Sequence, residues 1–270
     1  MAAAPCRCLR QLQPRPARLR RPLGGAIVTC AAQSADGPFE GEFGQWWVTP
    51  ADKVEVWSYR ASLTLVAAAF GAGTAAALAP QDAGWAPALW SNGSLLAAAG
   101  GVGILGATTL IHIYITPIKR ALQTLAALGC AGGAWLALQH SDVPLPQYVA
   151  DHPGSMWFVG PAFAALAGIC FKEGFCYEKR ESFILSGLIP LLCLLHLTGL
   201  MPELADKGFS AVVAGMLLLF AVRKYTQPVF ADIGDKTIFE WQAMTEDEQR
   251  ARLEQIRLEV AAYGEDEEVV

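Results

Sequence analysis

Ionisable side chains inside apolar runs mark where this sequence has chemistry to offer, because such groups are costly in hydrocarbon. His112 stands among Leu110, Ile111, Ile113 and Tyr114, and two readings stay open for it. It serves a transport path, or it is a neutral imidazole that hydrogen-bonds a neighbouring helix. Glu173 closes another apolar run at a similar depth, so a His112–Glu173 pair is geometrically allowed. His196 lies towards the opposite end of its own run. It is therefore not expected to share a haem with His112, since both axial ligands must meet at one depth. His140 and His152, with Asp142 and Asp151, fall on the His196 side and leave a metal site there as an alternative. The expectation is nevertheless no metal and no cofactor.

The densest polar island is FKEGFCYEKRES, Phe171 to Ser182. Lys172, Lys179 and Arg180 read as topology determinants, which accounts for most of their charge. Glu173, Cys176 and the aromatics Phe171, Phe175 and Tyr177 have no such explanation. The candidate ligand or partner residues are thus His112, Glu173, Cys176, Tyr177 and His196.

Other chemistries lack their signatures. No Ser-His-Asp set, HExxH or dinucleotide fingerprint is present, and GDKT (Gly234–Thr237) lacks the glycine and strand of a phosphate loop. Of Cys6, Cys8, Cys30, Cys130, Cys170, Cys176 and Cys193, no pair has zinc spacing backed by a second pair. Basic patches of the nucleic-acid type are missing once the N-terminus is set aside. The expectation is a protein that is not an enzyme.

The elements that must position these residues are membrane helices. The chain has 270 residues, is 53% hydrophobic and only 17% charged, against about 25% charged in soluble domains. Six apolar runs, near 59–79, 93–116, 120–139, 155–171, 183–200 and 208–223, each approach the ~20 residues needed to span a bilayer. Lys and Arg alternate from loop to loop, with Lys207 a weak exception, so both termini and two basic loops share one side. Small residues recur at spacing four, as in Ala67, Gly71, Ala75 and Gly129, Gly133, Ala137. That spacing predicts close helix packing in a compact bundle. The fold class is all-α: a polytopic membrane protein of about six transmembrane helices with a short soluble C-terminal helix.

The ends differ sharply from the middle. Residues 1–30 are rich in Arg, Ala and Pro and lack Asp and Glu, which reads as a plastid transit peptide, with a mitochondrial presequence as the alternative. Residues 31–58 form a stromal N-terminal segment whose piece DKVEVWSYR lies along the membrane surface, and 59–223 hold the six helices. Residues 224–270 are a stromal C-terminal segment. There Thr245 and Glu248 make a capping box, Leu253, Ile256, Val260 and Tyr263 share a helix face, and Gly264–Val270 is an acidic disordered tail.

HIYITPIKR (His112–Arg120), GPAFAALAGICFKEGFCYEKRES (Gly160–Ser182) and VRKYTQPVFADIGDKTIFEW (Val222–Trp241) resemble an uncharacterised family of integral membrane proteins from cyanobacteria and plastids. The resemblance runs from about Glu55 to Trp241. It implies a chloroplast membrane, thylakoid or inner envelope, and brings no established activity with it. The function expected is an assembly or accessory factor for a photosynthetic membrane complex. The alternative is a small-solute or ion transporter using the intramembrane His and Glu residues. LIHIYITP and LLHLTGLMP, each the second run of three, would fit two inverted halves.

Overall fold

A computed structural model describes residues 15–16, 36–80 and 82–267, with side chains of 15–16 and of those beyond 258 left aside. The transit reading of residues 1–30 falls almost wholly outside them. The chain divides into two compact units, Val54–Gln227 and a second made of Met1–Lys53 with Pro228–Val270.

Among the described residues, six helices are long and apolar enough to cross a membrane. They are α1 (Pro50–Leu78), α3 (Gly93–Leu110), α4 (Thr116–Gln139), α6 (Met156–Tyr177, preceded by a 3-10 turn at Pro153–Ser155), α7 (Arg180–Leu197) and α8 (Glu203–Lys224). Two short helices, α2 (Ala86–Ser91) and α5 (Leu145–Asp151), lie in the links between them. Leu95, Leu128, Leu138, Leu194, Val212 and Val222 are exposed on the long helices. A water-soluble domain does not present that much apolar surface; a bilayer accepts it.

The first span differs from the sequence expectation. DKVEVWSYR is not a separate surface piece but part of the 29-residue α1. Nothing in it breaks a helix, and Thr49 with Asp52 caps the start: Thr49 N–H donates to Asp52 Oδ2 at 2.7 Å and Asp52 N–H to Thr49 Oγ1 at 3.3 Å. The second span is shorter than expected. Helix α3 stops at Leu110, and residues 111–115 form a non-helical link to α4. The reason is local: Ile111, Ile113 and Ile115 are β-branched, and Pro117 has no N–H to give the Ile113 carbonyl in a continuous helix but suits the first turn of α4.

Helix α6 is the centre of the bundle, packed against both α4 and α7. Ala165, Ile169, Cys170 and Glu173 on it are fully buried, among Leu63, Ala107, Ala126, Leu185 and Phe220. Gly129 of α4 makes that approach: a Cβ there would stand 2.1 Å from the backbone nitrogen of Ala162. Small residues thus bring α4 and α6 together, by van der Waals packing rather than by a hydrophobic drive.

The other unit carries a three-stranded antiparallel sheet, β1 (Arg15–Pro16), β2 (Phe39–Gly41) and β3 (Gly44–Trp46), in that order. Two residues of the N-terminal segment set aside above are thus paired with β2. The unit also holds α9 (Val229–Ile233), α10 (Lys236–Ala243) and α11 (Glu246–Glu267). The GDKT turn links α9 to α10. Asp235 caps α10 by accepting from Thr237 N–H at 2.9 Å and also accepts from Glu42 N–H at 2.6 Å at the hairpin tip. Phe43 N–H donates to Thr237 Oγ1 at 3.1 Å, and the Phe43 ring stacks on Trp241. The capping box of α11 forms as Thr245 N–H to Glu248 Oε2, 2.8 Å. Helix α11 runs on to Glu267, through Gly264, where a disordered tail was expected; Arg250–Glu246 and Arg257–Glu254 pairs along it offset part of its acidic repulsion. Of its expected stripe, Leu253 is exposed, and the side chains of Val260 and Tyr263 lie outside the described residues.

Candidate functional site

Glu173 is the best-connected of the candidate residues. It sits one turn before the end of α6, and its side chain is wholly buried. Its Oε1 accepts from the Tyr59 hydroxyl of α1 at 2.9 Å and from Lys172 Nζ at 3.3 Å. Its Oε2 accepts from Lys224 Nζ of α8 at 2.8 Å, and Lys224 is also fully buried. One carboxylate thereby ties three helices. Burying an ion pair is tolerable only when further hydrogen bonds support it, and here both carboxylate oxygens accept.

Gln227 extends the network. Its side-chain oxygen accepts from Lys179 Nζ and, at 3.4 Å, from Lys224 Nζ. Its backbone carbonyl accepts from the buried Arg60 of α1 at 2.7 Å. Tyr177 lies at the middle of the lysines: Lys172 Nζ donates to its hydroxyl at 3.0 Å. Lys172, Lys224 and Lys179 stand 4.6, 5.3 and 5.7 Å from its ring centroid. A π-face accepts cations at such distances. The chain ends α6 here with Glu178 in the left-handed region, φ 53°, which turns the backbone straight into α7.

The remaining candidates are placed elsewhere. Cys176 is exposed. Phe171 and Phe175 are half-exposed and stack together with Phe183 close by, an outward aromatic group of the kind that lines membranes. His112 lies in the link between α3 and α4, not inside a span, and its Nε2 is 3.8 Å from Glu55 of α1. Glu55 is an acidic neighbour of His112, whereas Glu173 is held by Tyr59, Lys172 and Lys224. His196, in the last turn of α7, has Nδ1 2.8 Å from Asp206 Oδ2 and Nε2 3.0 Å from the Val149 carbonyl. His140 and His152 stack on Tyr148 at 4.0 and 4.3 Å. Among the described residues no group of three or more His, Cys, Asp or Glu could hold a metal ion.

Sequence reasoning missed Tyr59, Arg60, Lys224 and Gln227 as members of the site. The available signal was Arg60 and Lys224 at the ends of apolar runs, on the same side as Glu173. A buried carboxylate requires a cation, and those two residues with Lys172 and Lys179 were the candidates at that depth.

No solved structure matches the chain. It is similar to a protein of Haemophilus influenzae, described only as an uncharacterized protein, with 29% identity over 167 residues. The alignment covers 61% of this chain and 83% of that relative. Residues 106–241 match a family described as Uncharacterized integral membrane protein (DUF2301). That stretch contains Glu173, Lys224, His196 and Asp206, whereas Tyr59 and Arg60 precede it. The chain belongs to the DUF2301 family of integral membrane proteins.

Proposed function

We propose that this protein is a non-enzymatic membrane protein of the chloroplast that acts as an assembly or accessory factor for a photosynthetic membrane complex, with both termini in the stroma. The observation that carries the reading is the Glu173 network. Both oxygens of its carboxylate are engaged, by Tyr59, Lys172 and Lys224 from three helices, which makes it a fastener rather than an open binding group. A fastened bundle, in a chain whose two ends fold into a polar unit of their own, suits a protein that holds others in place. The plastid address rests on the Arg-rich, acid-free N-terminal residues. Affinity purification from mildly solubilised thylakoid and envelope membranes should recover subunits of one complex. Recovery of the protein alone in every mild detergent would overturn the proposal.

A second reading, a small-solute or ion transporter, is favoured by the same buried Glu173–Lys224 pair, since intramembrane ion pairs often mark permeation paths. It requires that flux into liposomes stop in a folded Glu173→Gln variant.

A further inference from the structure

His196 is held in a way that one protonation state satisfies fully. Its ring is 11% exposed. Nδ1 faces Asp206 Oδ2, at the start of α8, and Nε2 faces the Val149 carbonyl on α5. A carboxylate and a carbonyl both accept. An imidazolium has two N–H groups and donates to both; a neutral ring has one and leaves a nitrogen lone pair against an oxygen.

The Val149 carbonyl has reason to need that donor. In a continuing helix it would accept from the N–H four residues on, and that residue is Pro153, which has none. Helix α5 ends at Asp151, so His196 serves as the cap that α5 cannot make for itself. Release has somewhere to go: Pro190 interrupts the hydrogen-bond ladder of α7 six residues earlier, and Gly187 has open space around it.

The other titratable groups at this end either make their own contacts or face outward. On α8, Glu203 pairs with Lys207 at 2.6 Å. On and beside α5, Asp142 and Asp151 are exposed, and His152 Nδ1 lies 3.0 Å from the Tyr148 carbonyl. His140, from the end of α4, covers one face of the Tyr148 ring and His152 stacks on the same ring.

We propose that His196 is a proton-binding site that latches α5 and α8 to α7. A proton taken from water at this end of the bundle completes both hydrogen bonds. Its loss leaves the ring a single N–H, so either Val149 or Asp206 is released. The latch is closed while the ring carries both N–H groups and opens when one proton is lost. This end carries the connections without Lys or Arg, apart from Lys207. The device is independent of the Glu173 network and of the accessory-factor reading.

The test is hydrogen exchange on the full-length protein in lipid nanodiscs, with rates corrected for intrinsic chemistry at each pH. In the unmodified protein, amides of 149–152 and 203–207 should exchange roughly tenfold faster at pH 8 than at pH 5.5, the effect of one charge-assisted hydrogen bond. His196→Gln should exchange fast at both pH values. Asp206→Asn should protect at both, because the Asn amide donates to Nδ1 while a neutral ring donates from Nε2 to Val149. The double variant His140→Gln/His152→Gln should keep the pH dependence. A flat profile in the unmodified protein would overturn the proposal. So would a pH dependence that persists in Asp206→Asn, which also decides the matter if His196→Gln does not fold.

Discussion

Replacing Lys224 by methionine removes one partner of a fully buried pair and leaves the other. At 2.8 Å and an effective dielectric of 20, the gross attraction is about 6 kcal/mol. Desolvation of the ammonium offsets part of it, and breaking such a pair from one side costs about 3–5 kcal/mol. Lys172 at 3.3 Å and Tyr59 at 2.9 Å still hold Glu173, so the lower half of that range is expected. For a protein of this size a loss of about 3–4 kcal/mol lowers Tm by roughly 6 to 16 °C. The assay is thermal unfolding of the purified protein in one detergent, followed by size-exclusion chromatography. Glu173→Gln alone should also destabilise, because Lys224 then lacks its carboxylate. The double variant Glu173→Gln/Lys224→Met should lose less than the two single costs added together, since the two groups interact directly. Were Lys224→Met to unfold within about 1 °C of the unmodified protein, or the double variant to lose the two single costs added together, the pair would not be the fastener described.

Other expectations follow from single contacts. Gly129→Val should abolish the folded monomer peak, because its Cβ falls 2.1 Å from the Ala162 nitrogen. Gly215→Ala, with nothing near its Cβ, should be neutral or up to about 1 kcal/mol stabilising; equal behaviour of the two variants would undo the packing argument. Glu55→Gln should cost under about 1 kcal/mol, since its carboxylate is 41% exposed and 3.8 Å from His112; a Tm drop as large as that of Lys224→Met would contradict this. The Thr245 N–H holds the Glu248 carboxyl below the usual glutamate range. That cap is complete above the ordinary glutamate value of about 4.3 and is lost as the pH falls through the lowered one. First-turn amides of α11 should therefore lose protection only below the ordinary glutamate range, as corrected exchange rates would show; loss already at pH 5 would contradict the assignment.

What sequence could reveal was set by range. The spans were legible because each is one local apolar run, and Gly129 was legible as part of a small-residue stripe. The ends of the spans were less so. Trp57 and Tyr59 suggested a surface piece, yet nothing in DKVEVWSYR breaks a helix, and α1 runs straight through. His112 looked intramembrane because Ile111, Ile113 and Ile115 are apolar, although their β-branching and Pro117 end the helix before it. The site itself needed contacts that no local pattern carries: Glu173 meets Tyr59 across 114 residues and Lys224 across 51. Even the donor to the Val149 carbonyl arrives from a residue 47 positions away. Charge position gave candidates at the correct depth, and only tertiary packing chose among them.

The hairpin of β2 and β3 has a consequence for the order of synthesis. Its tip amides, Glu42 and Phe43, are satisfied by Asp235 and Thr237, which are made 193 and 194 residues later, and the Phe43 carbonyl accepts from Arg252. A nascent chain must therefore thread all six apolar helices before its first folded feature can close. The hairpin becomes a mark of completion: a chain truncated before Pro228 would present an unfinished N-terminal end for quality control to find.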